Sequence, residues 1–179
     1  ATRRELRRRL HGAPGVRLVV THDPLEAAAL AGRVVVVEAG RVVQDGSVAA
    51  LAARPRTRYV ADLVGVNLLQ GRADGGRVTV GDTVLVAPDA GAGDVVAVVH
   101  PRAVALHRRP PEGSPRNVWP GVVEGVDDEG GWARVEVRVE GGLSLVAEVT
   151  AGAAAELRLA AGARVWASVK AAEIAVSPA

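Results

Sequence analysis

The 179-residue chain reads as an α/β segment followed by an all-β region built of small barrels. Three observations carry this reading. Residues 1–63 alternate helix-like and strand-like runs. From Val64 onward, Val-rich runs of period two are separated by glycine turns. The second region also repeats itself across a Pro/Gly-rich link, Arg108–Pro115.

In the first region, Arg3 to His11 is expected to be helical. Arg3, Arg4, Arg7, Arg8 and Arg9 would form its solvated face, with Leu6 and Leu10 on the other side. Gly12–Gly15 break that helix. Val16–Val20 reads as a buried strand, Asp23–Ala31 as an amphipathic helix, and Val34–Val37 as a second strand. Glu38–Arg41 turns the chain into Val42 and Val43, and Ser47 can N-cap a short helix through Ala53. Alternating strands and helices argue for an α/β layer. With so few strands the layer is incomplete, so residues 1–63 read as the remnant of a larger domain.

In the second region the turn signals are Gly75-Gly76, Gly81-Asp82, Pro88-Asp89, Asp128–Gly131 and Gly141-Gly142. Ala133–Val139 alternates apolar and charged residues, the pattern of a half-buried antiparallel strand. Asn67–Gly71 parallels Asn117–Gly121, each entering a strand. Val99–Leu106 parallels Val169–Val176, each leaving one. The only two asparagines of the chain fall at matching places, and a shared structural corner is the simpler account of Asn67. These signals divide the chain into residues 1–63, a shorter partial barrel over 64–112, and a fuller barrel over 113–179.

Composition narrows the functional classes. Hydrophobic residues make up 49% of the chain, so a packed core is expected. They are mostly Ala, Val and Leu, which bury little area each at about 25 cal/mol per Å². A barrel of about 60 such residues is marginal alone and calls for a partner surface. The net charge is only +2 and aromatic residues are 2%, too few for the stacking platforms of a nucleic-acid binder, so no nucleic-acid partner is expected. The absence of cysteine fits a reducing compartment. No uncharged apolar run reaches the roughly 18 residues of a membrane span. The opening residues lack a signal-peptide pattern and read like the middle of a helix.

Val20–Ala27 (VTHDPLEA), Ala31–Val37 (AGRVVVV) and Gly40–Gly46 (GRVVQDG) together resemble the switch-histidine region of ABC ATPases, in which Gly32 stands where Asp is usual. Pro55–Ala61 and Gly65–Leu69 continue the register into that family's domain junction. The resemblance covers about a third of the chain and implies that His22 contacts the γ-phosphate of ATP and helps place the attacking water. By itself, a single strand-end histidine is more often structural than catalytic; the surrounding pattern reverses that balance. The sequence holds no phosphate-cradling G-x-x-x-x-G-K-[ST] loop, no Mg²⁺-binding acidic strand end and no signature motif. The chain thus reads as starting beyond the family's D-loop. ATP and Mg²⁺ would belong to the intact parent, and this chain alone is not expected to hydrolyse ATP.

Residues 114–177 resemble the Mop domain, the molybdate-binding module of molybdate-importer ATPases, and the whole second half fits the looser TOBE class. The matching residues are Ser114–Asn117 (SPRN), Gly142–Ala147, Val149-Thr150, Leu157 with Leu159, and Val169–Ala171 (VKA). Ala172 stands where the family usually has Thr. The resemblance implies OB-like (TOBE/Mop) barrels that pair into a homodimer. It also implies molybdate or tungstate bound near the barrel entrance, between neighbouring subunits, by Ser114, Arg116, Asn117, Thr150, Lys170 and Ala171. In the parent, the permease subunits of an importer would hold the protein at the cytoplasmic face of the membrane.

Those residue types suit a tetrahedral dianion, whose lost hydration must be replaced by fixed donors and cations. Ser114 offers a hydroxyl, Arg116 a planar fork and Lys170 a compact charge. Lys170 is the one lysine among 22 basic residues. Each has a plainer account: Lys170 as a solvated strand edge, Ser114 and Arg116 as linker residues, Thr150 as a helix cap. Trp119, Trp132 and Trp166 suit the core or a subunit seam better than a stacked ligand. The sequence therefore points to an oxyanion-sensing regulatory tail of an importer ATPase. The alternative is a dimerisation or docking domain of a sulfate-, sugar- or other-substrate importer ATPase with no oxyanion bound.

Overall fold

The computed structural model describes residues 15, 16, 18–128 and 130–179, and the helix expected over Arg3–His11 lies outside them. The chain divides into two compact units, Ala1–Gly65 and Val66–Ala179.

In the first unit, helix α1 (Pro24–Leu30) is followed by the antiparallel hairpin β1 (Val34–Glu38) and β2 (Arg41–Gly46). Helices α2 (Val48–Ala53) and α3 (Arg58–Val64) come next. The start of α1 is closed by side chains: Asp23 Oδ1 accepts from the Glu26 N–H at 3.1 Å, and Thr21 Oγ1 donates to Glu26 Oε2 at 2.6 Å. Ser47 caps α2 by accepting from the Ala50 N–H at 3.1 Å. Thr57 caps α3 and also donates to the Glu38 carboxylate, which ties the helix to the hairpin. Val36, Leu51 and Val60 form the small buried cluster.

One expectation for this segment is corrected. Val16 and Leu18–Val20 form no strand, and Val16, Leu18 and Val20 are almost fully exposed. A buried strand needs neighbours on both edges, and the only pairing among the described residues here is β1 with β2. That pairing is antiparallel, and the described residues of this segment form a hairpin with short helices.

The second unit is β-rich, as its alternation predicted. The first repeat contributes β3 (Asn67–Asp74), β4 (Arg77–Val80), β5 (Thr83–Val86), β6 (Gly93–Val99) and β7 (Ala105–His107). The second contributes β8 (Asn117–Asp128), β9 (Trp132–Val139), β10 (Ser144–Thr150), helix α4 (Ala151–Leu157), β11 (Arg164–Val169) and β12 (Ile174–Pro178). A single 3-10 turn precedes the last strand of each repeat, at Pro101–Ala103 and Ala171–Glu173.

The two five-stranded sheets have the orders β10-β9-β8-β11-β7 and β12-β6-β3-β4-β5. Each repeat thus gives its last strand to the other repeat's sheet. β7 pairs with β11 through Leu106↔Ala167, and β12 pairs with β6 through Val176↔Ala97. Leu69, Val78, Leu85 and Val99 of one repeat share one buried cluster with Val123, Val135, Val137 and Val169 of the other. On β9, Ala133, Val135, Val137 and Val139 are buried while Glu136 and Arg138 face out, so the period-two pattern fixes which face is core. A bulge between Val123 and Gly125 bends the 12-residue β8 and turns Glu124 outward, where it meets Arg138 Nε at 2.7 Å.

Gly71 and Gly121, at matching repeat positions, are sites of close backbone approach. A Cβ on Gly71 would stand 2.3 Å from the Thr79 carbonyl oxygen, and one on Gly121 2.9 Å from that of Arg138. Neither oxygen can withdraw without breaking its strand. Gly71→Ala is expected to lower stability by about 1–3 kcal/mol. Gly91→Ala, where the added carbon meets nothing within 4 Å, should stay within about 0.5 kcal/mol of the parent. Urea denaturation midpoints compare the two directly.

Candidate functional site

The antiparallel pairing of β8 with β11 sets the geometry. Asn117 lies opposite Val169, so Arg116 and Lys170 leave the pair side by side at one end of the sheet. Lys170 is the cap residue of the 3-10 turn Ala171–Glu173, with φ −68° and ψ 139°, but its side chain makes no cap bond. The turn is closed instead by the backbone, Glu173 N–H donating to the Lys170 carbonyl at 3.0 Å. The Lys170 ammonium is exposed and has no hydrogen-bond or ion-pair partner among the described residues. Arg116 is exposed too, with only a long 3.5 Å contact from Nη1 to the Gly113 carbonyl. Ser114, two residues before Arg116, is exposed, and Ala171, next after Lys170, is half-buried. Two cations and a hydroxyl on neighbouring stretches of backbone can present charge-assisted donors to one anion.

Asn117 sits at this place in a different capacity. It is 2% exposed, and its amide clamps the other repeat: Oδ1 accepts from the Val86 N–H at 2.6 Å, while Nδ2 donates to the Val86 carbonyl at 3.0 Å. Asn67 does the same in mirror fashion to Val146, at 2.7 and 2.9 Å, and donates further to the Val99 carbonyl at 3.1 Å. Each asparagine therefore acts as an extra peptide group on an edge strand, β5 or β10, and the shared structural corner extends to both.

Thr150 lies elsewhere. It pairs with Trp132 on β9, at the end of the sheet remote from Asn117, and its Oγ1 caps α4 by accepting from the Ala153 N–H at 3.1 Å. Its surroundings belong to the first repeat's 3-10 turn: Arg102 donates from Nε to Glu148 at 2.8 Å and stands 5.4 Å from the centre of the Trp132 ring. His22 is exposed in the first unit. Among the described residues no group of three or more His, Asp or Glu side chains could hold a metal ion.

Several polar contacts are invisible to sequence reading. His107 Nε2 and Ser168 Oγ lie 2.9 Å apart across the β7–β11 seam, and Arg108 donates to the Glu156 carbonyl at 2.8 Å. Both hold the exchanged strand. The repeat alignment ends at Leu106, one residue short of His107, and carries no signal of either contact. Trp119 packs against the core, whereas Trp132 is 44% exposed and carries Arg102 on its ring.

Residues 113–176 match the TOBE domain family. Over 172 residues, or 90% of its length, the chain is 40% identical to the molybdenum import ATP-binding protein ModC of Mycobacterium tuberculosis, of which it covers 46%. It is 34% identical over 160 residues to the molybdate/tungstate import ATP-binding protein WtpC of Pyrococcus horikoshii, covering 89% of this chain and 46% of that one. A sulfate/thiosulfate import ATP-binding protein, CysA of Methylococcus capsulatus, is 44% identical over 88 residues, 49% of this chain and 25% of that one. The chain spans about half the length of the first two relatives. Among solved structures, the cytoplasmic molybdate-binding protein ModG with molybdate bound superposes with a TM-score of 0.57 at 27% identity, over 63% of this chain and 96% of that one.

The asparagine clamps generate a stability prediction. Asn117→Ala strips both the N–H and the carbonyl of Val86 of their partner, and Asn67→Ala does so for Val146. Each is expected to cost about 1–3 kcal/mol, read from the denaturant midpoint. Exposed Gln70→Ala, two strand residues before Arg72, should change little.

Proposed function

We propose, on the premise that residues 113–176 are a TOBE domain in a chain related to the ATP-binding subunits of molybdenum and tungstate importers, that this region senses an oxyanion. Its ligand is molybdate or tungstate, held by the Ser114 hydroxyl, the Arg116 guanidinium, the Lys170 ammonium and the backbone at Ala171. Asn117 fixes the frame by clamping Val86, and Thr150 serves as a helix cap outside the site. The observation that carries this reading is the β8–β11 register, which sets Arg116 beside Lys170 with both charges exposed and Lys170 unpaired among the described residues.

In this reading two copies associate through their β-barrels, and a second copy covers the open side of the anion. The parent ATPase works with membrane permease subunits at the cytoplasmic face, and among the described residues no helix is long and apolar enough to cross a membrane. Anion binding then biases the parent's nucleotide-binding halves as a coupled equilibrium. ATP, Mg²⁺ and the contact of His22 with the γ-phosphate belong to that parent. In this scheme the division of the barrel region at residues 112 and 113 separates two sequence repeats that share one folded body.

One observation favours a second reading. The sulfate/thiosulfate relative matches about half of the chain at 44% identity, and Ala172 removes a hydroxyl from the resembled motif. A domain that only dimerises or docks would keep the asparagine clamps and lack anion affinity.

Titration calorimetry with molybdate, tungstate and sulfate separates the two. Losing a charge-assisted contact costs about 1.5–3 kcal/mol, so Arg116→Ala and Lys170→Ala are each expected to weaken molybdate binding by about 10- to 150-fold. Oligomeric size should stay unchanged in both variants. Absence of heat with all three anions at millimolar concentration would reject the sensing role.

A further inference from the structure

The internal symmetry of residues 66–179 allows the anion-site region to be compared with its own counterpart in the same chain. Both sheets run through the same strand sequence, and each ends on the strand received from the other repeat. Asn67 corresponds to Asn117, since each clamps a valine on the opposite edge strand. His100 corresponds to Lys170, since each caps a 3-10 turn, with φ/ψ of −69°/138° and −68°/139°. It follows that Val66 stands where Arg116 does, Arg102 where Ala172 does, and Glu148 where Pro88 does.

We propose that this unit has one anion-competent pole and one pole closed by an internal carboxylate, so that each chain takes one oxyanion and not two. The proposal rests on the oxyanion reading above and specifies its stoichiometry.

At the Asn67 pole the guanidinium is replaced by the buried Val66. The ammonium is replaced by an imidazole whose Nδ1 accepts from the Arg102 N–H at 3.2 Å. That nitrogen is engaged within its own turn and presents no donor to an anion. Arg102 is already matched: its Nε donates to Glu148 at 2.8 Å, and the Glu148 side chain is only 15% exposed. Glu148 lies two residues beyond Val146, the residue held by Asn67, so its carboxylate occupies this pole as a built-in anion. An incoming dianion would meet the like charge of Glu148 there.

The Asn117 pole has the opposite balance. Pro88 stands in the place of Glu148, and Asp89, the next carboxylate along the chain, is exposed on the following turn. Arg116 and Lys170 have no acidic partner among the described residues. The duplication has thus diverged into one pole that needs an external anion and one that carries its own.

The test is equilibrium dialysis of the full chain against sodium molybdate, counted per chain. One molybdate per chain is expected, and none in the Arg116→Ala/Lys170→Ala double variant. Two per chain would overturn the one-pole assignment while leaving the oxyanion reading in place. No binding to the parent chain would overturn both. One equivalent retained in the double variant would overturn the assignment of the poles. A second double variant, His100→Lys with Glu148→Gln, removes the built-in carboxylate and restores an ammonium. It is expected to add a second, weaker equivalent, and a count still at one would refute the role given to Glu148 and His100.

Discussion

Two short strands given by each repeat to the other hold residues 66–179 together. β7 has three residues and β12 has five, yet each completes a sheet whose other four strands come from the opposite repeat. A repeat rich in Val and Ala buries little area by itself. Exchange merges the two apolar faces into one cluster and lets each edge strand be clamped by an asparagine from across the seam. The site region depends on this arrangement. Arg116 precedes the clamp residue Asn117, and Lys170 follows the last residue of β11, whose other neighbour is the exchanged β7.

Much of the barrel region was legible in the sequence because it depends on local rules. Alternation over Ala133–Val139 gave the buried face, paired glycines marked the turns, and the two asparagines aligned the repeats. Strand exchange was not legible. A period-two pattern says which face of a strand is buried but not which partner it pairs with, and Ala105–His107 is too short to carry a pattern at all. The first unit failed differently. Val16–Val20 has the composition of a buried strand, but composition cannot supply the neighbouring strands that burial requires, and the described residues of this run lie exposed.

The candidate site was legible to the same degree and for the same reasons. Resemblance grouped six residues, and strand register sorts them. Arg116 and Lys170 flank one end of the β8–β11 pair, Asn117 is buried in a clamp, and Thr150 caps a helix beside the first repeat's turn. Spacing along a sequence cannot separate a residue that reaches a ligand from one that holds the frame for it. What each amide and hydroxyl already bonds to makes that separation.

The central claim is that an oxyanion reaches the Lys170 ammonium, and the composition of the chain offers a direct way to see it. Lys170 is the only lysine, so isotope labelling of lysine yields a single side-chain resonance without assignment. Titration with molybdate should move that resonance saturably, and an equal concentration of chloride should leave it in place. A lysine signal that stays still while molybdate is raised to millimolar concentration would contradict the account.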